Sequence, residues 1–304
     1  MSRLPTADEL DTAWRAVRGR MAPSPIEARD GLFWKLESEL PTGSFKVRGA
    51  TVAAAALASD RGLVAASAGN HGLGLCWATA PAATPLTIVV PRECPELKRS
   101  KLAAFAHATI RVCETPGYDA AEALARQIAE AEQRPFVSPF DHPLVMAGNG
   151  GTLLRELVEQ LPEAGTVVVP VGGGGLLAGL LAARALLPRD RRPDLVAVQS
   201  EASPAFFASL RDRTAYTAWP AAESVAEGLE GGTGATAVAA ALEAGLRCLL
   251  VSEAQIIAAR ARLWEVHGWK AEGSAAVVEA ARAAGLLDGL RGPVVGLLTG
   301  RNTA

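Results

Sequence analysis

The sequence predicts an α/β protein with two open, mainly parallel, twisted sheets that are flanked by helices. Short apolar runs alternate with longer alanine- and leucine-rich amphipathic runs, as they do in repeated strand–helix–strand units. Several of the short runs are hydrophobic throughout, which is typical of parallel strands covered on both faces. The short runs also fall into two groups along the chain, which favours two domains with a cleft between them.

The predicted strands are short and rich in valine, leucine and isoleucine. They occupy residues 63–67, 86–91, 109–114, 166–172, 194–200, 247–252 and 293–299. The first three form one compact group, and the others follow residue 141. We therefore expect a small domain over residues 51–141 and a large domain over residues 1–50 and 142–304.

Two of the predicted helices carry recognisable start signals. Asp119 is a predicted N-cap, with Glu122 three residues later. Ser252 is a second predicted N-cap, with Gln255 as its capping-box partner and Gly268 as the residue that ends the helix. The least regular stretch, residues 210–224, is predicted to be a surface loop.

The bulk composition argues against several functional classes. Of the 304 residues, 49% are hydrophobic and 20% are charged, and the net charge of −2 provides no basic surface for nucleic acid. The four cysteines lack metal-ligand spacing. The N-terminus lacks a secretory signal, and the longest apolar run, which starts at Leu176, is too short to span a bilayer. We therefore expect a cytoplasmic protein with neither nucleic-acid nor membrane partners.

Four consecutive glycines, Gly172–Gly175, lie between a predicted buried strand and a predicted helix. Glycines allow backbone N–H groups to converge on an anion, and a helix N-terminus adds the positive end of its dipole. A merely flexible loop is the alternative, but glycines lose much conformational entropy on ordering. The pattern therefore predicts a phosphate-binding nest, although it matches neither the nucleotide nor the dinucleotide glycine motif.

A second polar loop follows the first predicted strand. The stretch "SAGNHG" begins at Ser67, and a helix is predicted to start near Gly72. Loops at the carboxyl ends of parallel strands are common ligand sites in α/β proteins, and small donors at a helix N-terminus suit a carboxylate. From the residues alone, a binding role and a structural role for His71 are equally open.

Lys46 lies in the stretch "PTGSFKVRGA", just before a predicted helix. Such a lysine is usually a solvated charge, but a lysine with a depressed pKa can condense with a phosphate-bearing aldehyde. The chain combines this lysine with a phosphate nest and a carboxylate loop, and it shows neither a Ser-His-Asp pattern nor a metal-ligand cluster. Together these features indicate pyridoxal phosphate as the cofactor and an amino acid as the substrate.

The chain resembles the fold type II pyridoxal-phosphate enzymes, specifically the threonine/serine dehydratase and serine racemase group. The resemblance runs from about Pro23 to the end and rests on ordered motifs: "PTGSFKVRGA", "SAGNHG", "PFDHPLVMAGNGGTLLRELVEQ", "VPVGGGGLLAG", "AEGLEGGTG", "KAEGSAAVVEA" and "LLTGRN". It implies a fold like that of the tryptophan synthase β chain. It also implies a homodimer, and since the chain ends four residues after Gly300 we expect no C-terminal regulatory domain.

The resemblance also implies roles for individual residues around the cofactor. Lys46 would form the imine with it, Phe45 would pack beside the pyridine ring, and Asn70 would bond its 3′-hydroxyl. Gly172, Gly173, Gly174 and Gly175 would hold the phosphate, and Thr299 would face the pyridine nitrogen. Gly228 and Glu272 match positions close to the cofactor in relatives, although a turn glycine and a helix-start acid are the structural alternatives. The substrate carboxylate would meet Ser67, Ala68, Gly69, Asn70 and His71.

The expected reaction is β-elimination from L-threonine, L-serine or a close 3-hydroxy amino acid, which gives a 2-keto acid and ammonia. Serine racemases carry a second serine where this chain has Ala68, which has no proton to return to the opposite face. Phe140 also matches an aromatic of threonine dehydratases. A racemase, a β-replacement enzyme and a non-catalytic ligand-binding protein are the alternatives.

Some relatives bind a divalent cation through two acidic side chains. This chain has Gln199 and Ala205 at the matching positions, and Glu201 is the only carboxylate nearby. Because a hard cation needs several charged oxygen ligands, we expect no metal site here.

Overall fold

The computed structural model of the protein describes residues 3–220 and 223–303. Its strands are β1 (Ile26–Arg29), β2 (Leu32–Leu36), β3 (Leu63–Ala66), β4 (Leu86–Val90), β5 (Ala108–Val112), β6 (Thr166–Pro170), β7 (Asp194–Ser200), β8 (Arg247–Val251) and β9 (Val294–Leu298). One sheet has the order β1-β2-β9-β6-β7-β8, and the other has the order β3-β4-β5. The β1–β2 pair is antiparallel and the other pairs are parallel. The predicted fold class is therefore confirmed.

All seven predicted strands are present, but the hairpin β1–β2 was not predicted. Its strands are only four and five residues long, and β1 is half-exposed. The turn residues Asp30 and Gly31 both have positive φ, at 50° and 81°, as a two-residue hairpin turn requires. The Asp-Gly pair was a usable signal, but the run before it lacks the hydrophobic pattern of a strand. The domain boundaries at residues 50 and 141 stay a prediction.

The helices cover the faces of both sheets. They are α1 (Ala7–Arg18), α2 (Lys46–Leu57), α3 (Asn70–Thr79), α4 (Glu96–Ala103), α5 (Tyr118–Ala131), α6 (Pro143–Met146), α7 (Thr152–Gln160), α8 (Gly175–Leu186), α9 (Ala205–Asp212), α10 (Ala235–Glu243), α11 (Glu253–His267) and α12 (Gly273–Ala283). A π-helical turn, Ala147–Gly151, joins α6 to α7. Within the two described ranges, no helix is both long enough and apolar enough to cross a membrane.

The helix-start predictions had different outcomes. The capping box of Ser252 and Gln255 is present, and Gly268 ends α11 with φ of 69°. The prediction of Asp119 as an N-cap was wrong. Helix α5 begins at Tyr118 after Gly117, so Asp119 lies inside the first turn, where its negative charge interacts favourably with the helix dipole. Helix α3 begins at Asn70, two residues before the predicted start.

The segment predicted as a surface loop, residues 210–224, is only partly irregular. Its first residues belong to α9, which ends at Asp212. Residues 221–222 lie outside the part of the chain that the structure describes.

The core of the six-stranded sheet lies on both of its faces. Alternate residues of β6 point to opposite sides: Val168 packs in the cluster formed with α11 and α12, and Val167 and Val169 pack in the cluster formed with α8. All five residues of β6 are buried. A strand covered on both faces reads as continuously hydrophobic, which explains the pattern seen in the sequence.

Glycines bring α2 and α8 into close contact with the segment that contains α6 and α7. A Cβ at Gly148 would lie 2.6 Å from Cα of Gly49, and a Cβ at Gly179 would lie 2.0 Å from the carbonyl oxygen of Met146. Only glycine permits such an approach of backbones. The contacts pack α2, which begins at Lys46, and α8, which follows the glycine run, against the same segment, residues 146–150.

Candidate active site

Lys46 is the first residue of α2, and its side chain lies in the cleft between the two sheets. Its Nζ donates to the carbonyl oxygen of Pro139 (2.9 Å) and lies 5.3 Å from the centre of the Phe45 ring. Burial lowers the pKa of Lys46 to about 8, although the negative charge of Glu272 opposes the shift. With this pKa roughly a tenth of the amines are unprotonated at pH 7, and the unprotonated amine is the form that reacts with a carbonyl group.

The four glycines form a loop whose backbone N–H groups are free to donate hydrogen bonds. Among the described residues, the amides of Gly172–Gly175 donate no hydrogen bond to another protein group. Gly174 has φ of 83°, and a Cβ on Gly173 would lie 2.6 Å from the ring of Phe140. The loop runs directly into α8, whose N-terminus adds a favourable dipole. Consecutive free amides at a helix N-terminus suit a phosphate group.

The loop after β3 leaves a second set of free amides. Ser67 Oγ accepts hydrogen bonds from the amides of Gly69 (3.2 Å) and Gly72 (3.1 Å), which closes the start of α3. In the described part of the chain, the amides of Ala68, Asn70 and His71 have no acceptor. A Cβ on Gly69 would meet nothing within 4 Å, so open space lies in front of this loop. These donors suit a carboxylate.

The ring of His71 has a structural contact. The side chain is buried, and its Nε2 lies 3.0 Å from the carbonyl oxygen of Val137. Burial and the positive charge of Lys46 lower the pKa of His71 to about 3, so the ring stays neutral. Because the carbonyl needs a donor, Nε2 carries the proton, and Nδ1 has none to offer to an anion. The group of His71 that is left free for a ligand is its backbone N–H.

Glu272, Asn70 and Asn302 form a hydrogen-bonded chain across the cleft. Asn70 Nδ2 donates to both carboxylate oxygens of Glu272 (3.0 and 2.9 Å), and Asn302 Nδ2 donates to Asn70 Oδ1 (2.7 Å). Burial raises the pKa of Glu272 to about 7, against the opposing effects of Asn70 and Lys46. Asn302 was not predicted as a site residue, although it is the last residue of the motif "LLTGRN".

Thr299 and Gly228 each contact a residue of the candidate site or a neighbour of one. Thr299 is buried at the end of β9, and its carbonyl oxygen accepts from the amide of Phe45 (3.0 Å), which places it next to Lys46. The Gly228 amide donates to Ser274 Oγ (2.9 Å). A Cβ on Gly172 would lie 2.9 Å from the carbonyl oxygen of Gly228, so this residue borders the glycine nest.

The positions compared with a metal site have other contacts. Gln199 Oε1 accepts from the amides of Phe206 and Phe207, both at 3.1 Å, and so caps α9. Glu201 is exposed. Within residues 3–220 and 223–303, no group of three His, Cys, Asp or Glu side chains could hold a metal ion.

The profile of the pyridoxal-phosphate dependent enzyme family matches residues 21–300. The chain belongs to this family. It is 41% identical over 184 residues to the L-threonine ammonia-lyase of Thermotoga maritima, a match that spans 59% of this chain and 44% of the relative. It is 35% identical over 210 residues to human serine racemase, spanning 67% of this chain and 60% of the relative. The chain thus matches less than two thirds of the length of either protein.

The fold agrees with a solved structure of this enzyme family. The crystal structure of a T.th. threonine deaminase superposes with a TM-score of 0.88 at 30% identity, and the match covers 99% of each chain. Pyridoxal phosphate is the cofactor of the enzyme, and the residues of the cleft fit it. The free amides of Gly172–Gly175 match its phosphate, and the Lys46 amine matches its aldehyde. Phe140 lies next to both groups. It follows Pro139, whose carbonyl oxygen accepts from Lys46, and its ring packs against Gly173.

Proposed function

We propose that the protein is an ammonia-lyase that deaminates L-threonine, L-serine or a close 3-hydroxy amino acid to a 2-keto acid and ammonia. The observation that carries this proposal is the pairing of Lys46, an amine with a lowered pKa, with a substrate loop that has Ala68 beside Ser67. Lys46 is then a base on one face of the substrate. The loop offers no proton donor on the opposite face, which racemisation requires. The similarity to a named threonine ammonia-lyase supports the same reaction.

The residues of the cleft can perform the substrate-binding and proton-abstraction steps. The amides of the 67–71 loop would bind the substrate carboxylate and orient Cα toward Lys46. Lys46 Nζ would then remove the Cα proton as a general base. Bound pyridoxal phosphate supplies a conjugated ring that accepts the negative charge developing at Cα. Thr299 presents a hydroxyl, which holds a proton on a pyridine nitrogen less firmly than a carboxylate would, and this favours prompt loss of the β-hydroxyl.

Release of 2-keto acid tests this proposal. Purified enzyme with pyridoxal phosphate should release keto acid and ammonia in equal amounts from L-threonine or L-serine. The protein should absorb near roughly 410 nm, the band of a lysine-bound cofactor. Lys46→Ala should lose both the band and the activity, because the reactive amine is gone. Retention of elimination activity by Lys46→Ala would refute the assignment of Lys46 as the base.

Serine racemase is the second candidate, because human serine racemase is 35% identical to this chain. The same reaction mixtures distinguish the two activities when D-serine is measured beside keto acid. We expect keto acid in large excess, since Ala68 has no proton to deliver. D-serine as the main product would favour the racemase, and binding of an amino acid without any turnover would favour a non-catalytic protein.

We also propose that the enzyme acts in the cytoplasm as a homodimer. The family resemblance is the support for the dimer, and the thiols of Cys76, Cys94, Cys113 and Cys248, none of which is in a disulfide, are compatible with a reducing compartment. Sedimentation equilibrium of the purified protein tests the dimer, with a monomer of 31.4 kDa as the alternative.

A further inference from the structure

A groove lies at the opposite end of the six-stranded sheet from the glycine nest. It has a volume of about 340 Å³ and is formed where β6, β7 and β8 begin, at Thr166, Asp194 and Arg247. Arg184 from α8 and Arg291 from the turn before β9 also line it. The nest follows the other end of β6, so the two sites are separate.

The groove has more positive than negative charge. Arg184, Arg247 and Arg291 line it, and Asp194 is the single carboxylate among its lining residues. Arg291 Nε lies 3.2 Å from Asp194 Oδ2, and Arg184 Nη2 lies 3.8 Å from Oδ1 of the same carboxylate. Within the described chain, the guanidinium of Arg247 has no ion pair or hydrogen bond. Three cations and one anion leave two positive charges unmatched.

Backbone contacts hold two of the guanidinium groups in place. Arg184 Nε donates to the carbonyl oxygen of Pro193 (2.6 Å), and Arg291 Nη2 donates to the carbonyl oxygen of Arg192 (2.5 Å). Burial and the like charges of Arg192 and Arg291 lower the pKa of Arg184, despite the nearby Asp194. Guanidinium groups that are held in place and still have free N–H donors are suited to bidentate binding of phosphate or carboxylate.

Apolar side chains form the smaller part of the exposed lining of the groove, and polar groups form the larger part. Leucine and valine side chains from α8, β7 and the turns before β8 and β9 contribute to the lining: Leu181, Leu195, Val196, Leu246 and Leu290. A cavity of this volume is at the lower end of the range for small-molecule sites and exceeds what one inorganic ion needs. The ligand should therefore combine two negative charges with a short carbon skeleton.

We propose that this groove binds a small organic dianion, either a phosphate ester or a dicarboxylate, at a site distinct from the cofactor site. Arg247, Arg291 and Arg184 bind the charged groups, and the leucine side chains contact the carbon skeleton. Asp194 remains paired with Arg291 and fixes its orientation.

Isothermal calorimetry on the enzyme saturated with pyridoxal phosphate tests the proposal, because the glycine nest is then already filled. Phenyl phosphate and succinate are titrated separately at constant ionic strength, which sodium chloride maintains. At least one of them should bind saturably at one site per chain. Arg247→Gln should weaken that binding by about 10- to 100-fold, the usual contribution of one charge-assisted hydrogen bond. Arg247→Glu should abolish it, because it reverses the charge.

Arg260→Gln is the matched control, since Arg260 lies on α11 outside the groove and its loss should leave binding unchanged. Arg247 is exposed, and the absorption of the bound cofactor verifies that each variant is folded. Binding of phenyl phosphate alone would identify a phosphate-ester site, and binding of succinate alone would identify a dicarboxylate site. Absence of saturable binding for both probes, or undiminished binding in Arg247→Glu, would overturn the proposal whether or not the enzyme is a lyase.

Discussion

At the scale of single residues, Lys46 and Glu272 control each other's protonation. Burial pushes the pKa of the amine down and that of the carboxyl up, and the attraction between their charges opposes both shifts. The carboxyl, with a pKa of about 7, and the amine, with a pKa of about 8, therefore both change charge close to neutral pH. Neighbouring groups that titrate in this range are typical of active sites.

Cofactor capture should depend on this pair. The rate at which the enzyme stripped of pyridoxal phosphate regains its absorption near roughly 410 nm should rise with pH through about 8, because only the unprotonated Lys46 amine attacks the aldehyde. Glu272→Gln should move the midpoint to lower pH, because the carboxylate raises the pKa of Lys46 and the amide does not. Stopped-flow absorbance at several pH values measures both effects, and an unchanged midpoint in Glu272→Gln would contradict the coupling.

At the scale of elements, a buried charge cluster holds α2 against β2 and α7. Arg48 pairs with Glu37 and Glu156 (both 2.7 Å), and Lys35 pairs with Glu156 (2.6 Å). The four side chains are at most 2% exposed. Arg48 lies two residues after Lys46 on α2, so the cluster anchors the helix that carries Lys46. The charges balance, and removing one leaves a buried ion without its partner.

Glu156→Gln should therefore lower the free energy of unfolding by about 3–5 kcal/mol. The matched control is Glu159→Gln on the same helix, where the exposed pair with Arg155 should contribute less than about 1 kcal/mol. Urea unfolding with the cofactor present measures both variants. A loss for Glu156→Gln no larger than that for Glu159→Gln would show that the cluster does not stabilise α2.

The same cluster predicts sensitivity to acid. Burial favours the neutral form of Glu156, but its bonds to Arg48 and Lys35 outweigh this effect and lower its pKa to about 2. The lowered pKa stabilises the fold fully above the ordinary glutamate pKa of about 4.5, and this contribution declines as the pH falls toward about 2.

At the scale of the whole molecule, contacts across the cleft join the two sheets. Besides the Asn70–Glu272 contact, Lys98 on α4 pairs with Glu227, which precedes Gly228 beside the glycine nest (2.7 Å). Lys98 is largely covered, whereas Glu227 is mostly exposed. This pair links α4, which packs beside the three-stranded sheet, to the segment around Gly228 that borders the glycine nest.

Lys98→Gln should raise KM for the amino acid by about two- to fivefold with little change in kcat, because an exposed ion pair contributes about 0.2–1 kcal/mol to holding the two sides of the cleft together. The effect should shrink at high salt. Glu96→Gln is the matched control, since Glu96 pairs with Arg99 within the same helix and does not reach across the cleft. Steady-state kinetics at low and high ionic strength provide the measurement, and equal KM values for wild type and Lys98→Gln would refute this role.

The parts of the molecule that were predicted correctly are those whose cause is local in the chain. The strand β6 reads as hydrophobic because both of its faces are covered, and the capping box of Ser252 needs only residues three apart. The glycine run is contiguous in the chain, so its position between a strand and a helix was readable too, and its phosphate role stays a prediction. Asp119 was misassigned because a good N-cap residue one position into a helix gives nearly the same pattern. Hairpin β1–β2 was missed because β1 is too short and too exposed to show the hydrophobic pattern of a strand.

The sequence by itself determined the fold class and indicated pyridoxal phosphate as the cofactor, because these follow from motifs whose residues are neighbours along the chain. The roles of the glycine nest and of Lys46 stay predictions. Only the tertiary structure decided which distant groups meet. The order of strands places β9 between β2 and β6. The contact of Asn70 with Glu272 joins residues 202 positions apart. The lowered pKa of Lys46 and the charge surplus of the arginine groove are also decided by the tertiary structure. Burial and Coulomb interactions depend on distance in space and not on distance along the chain.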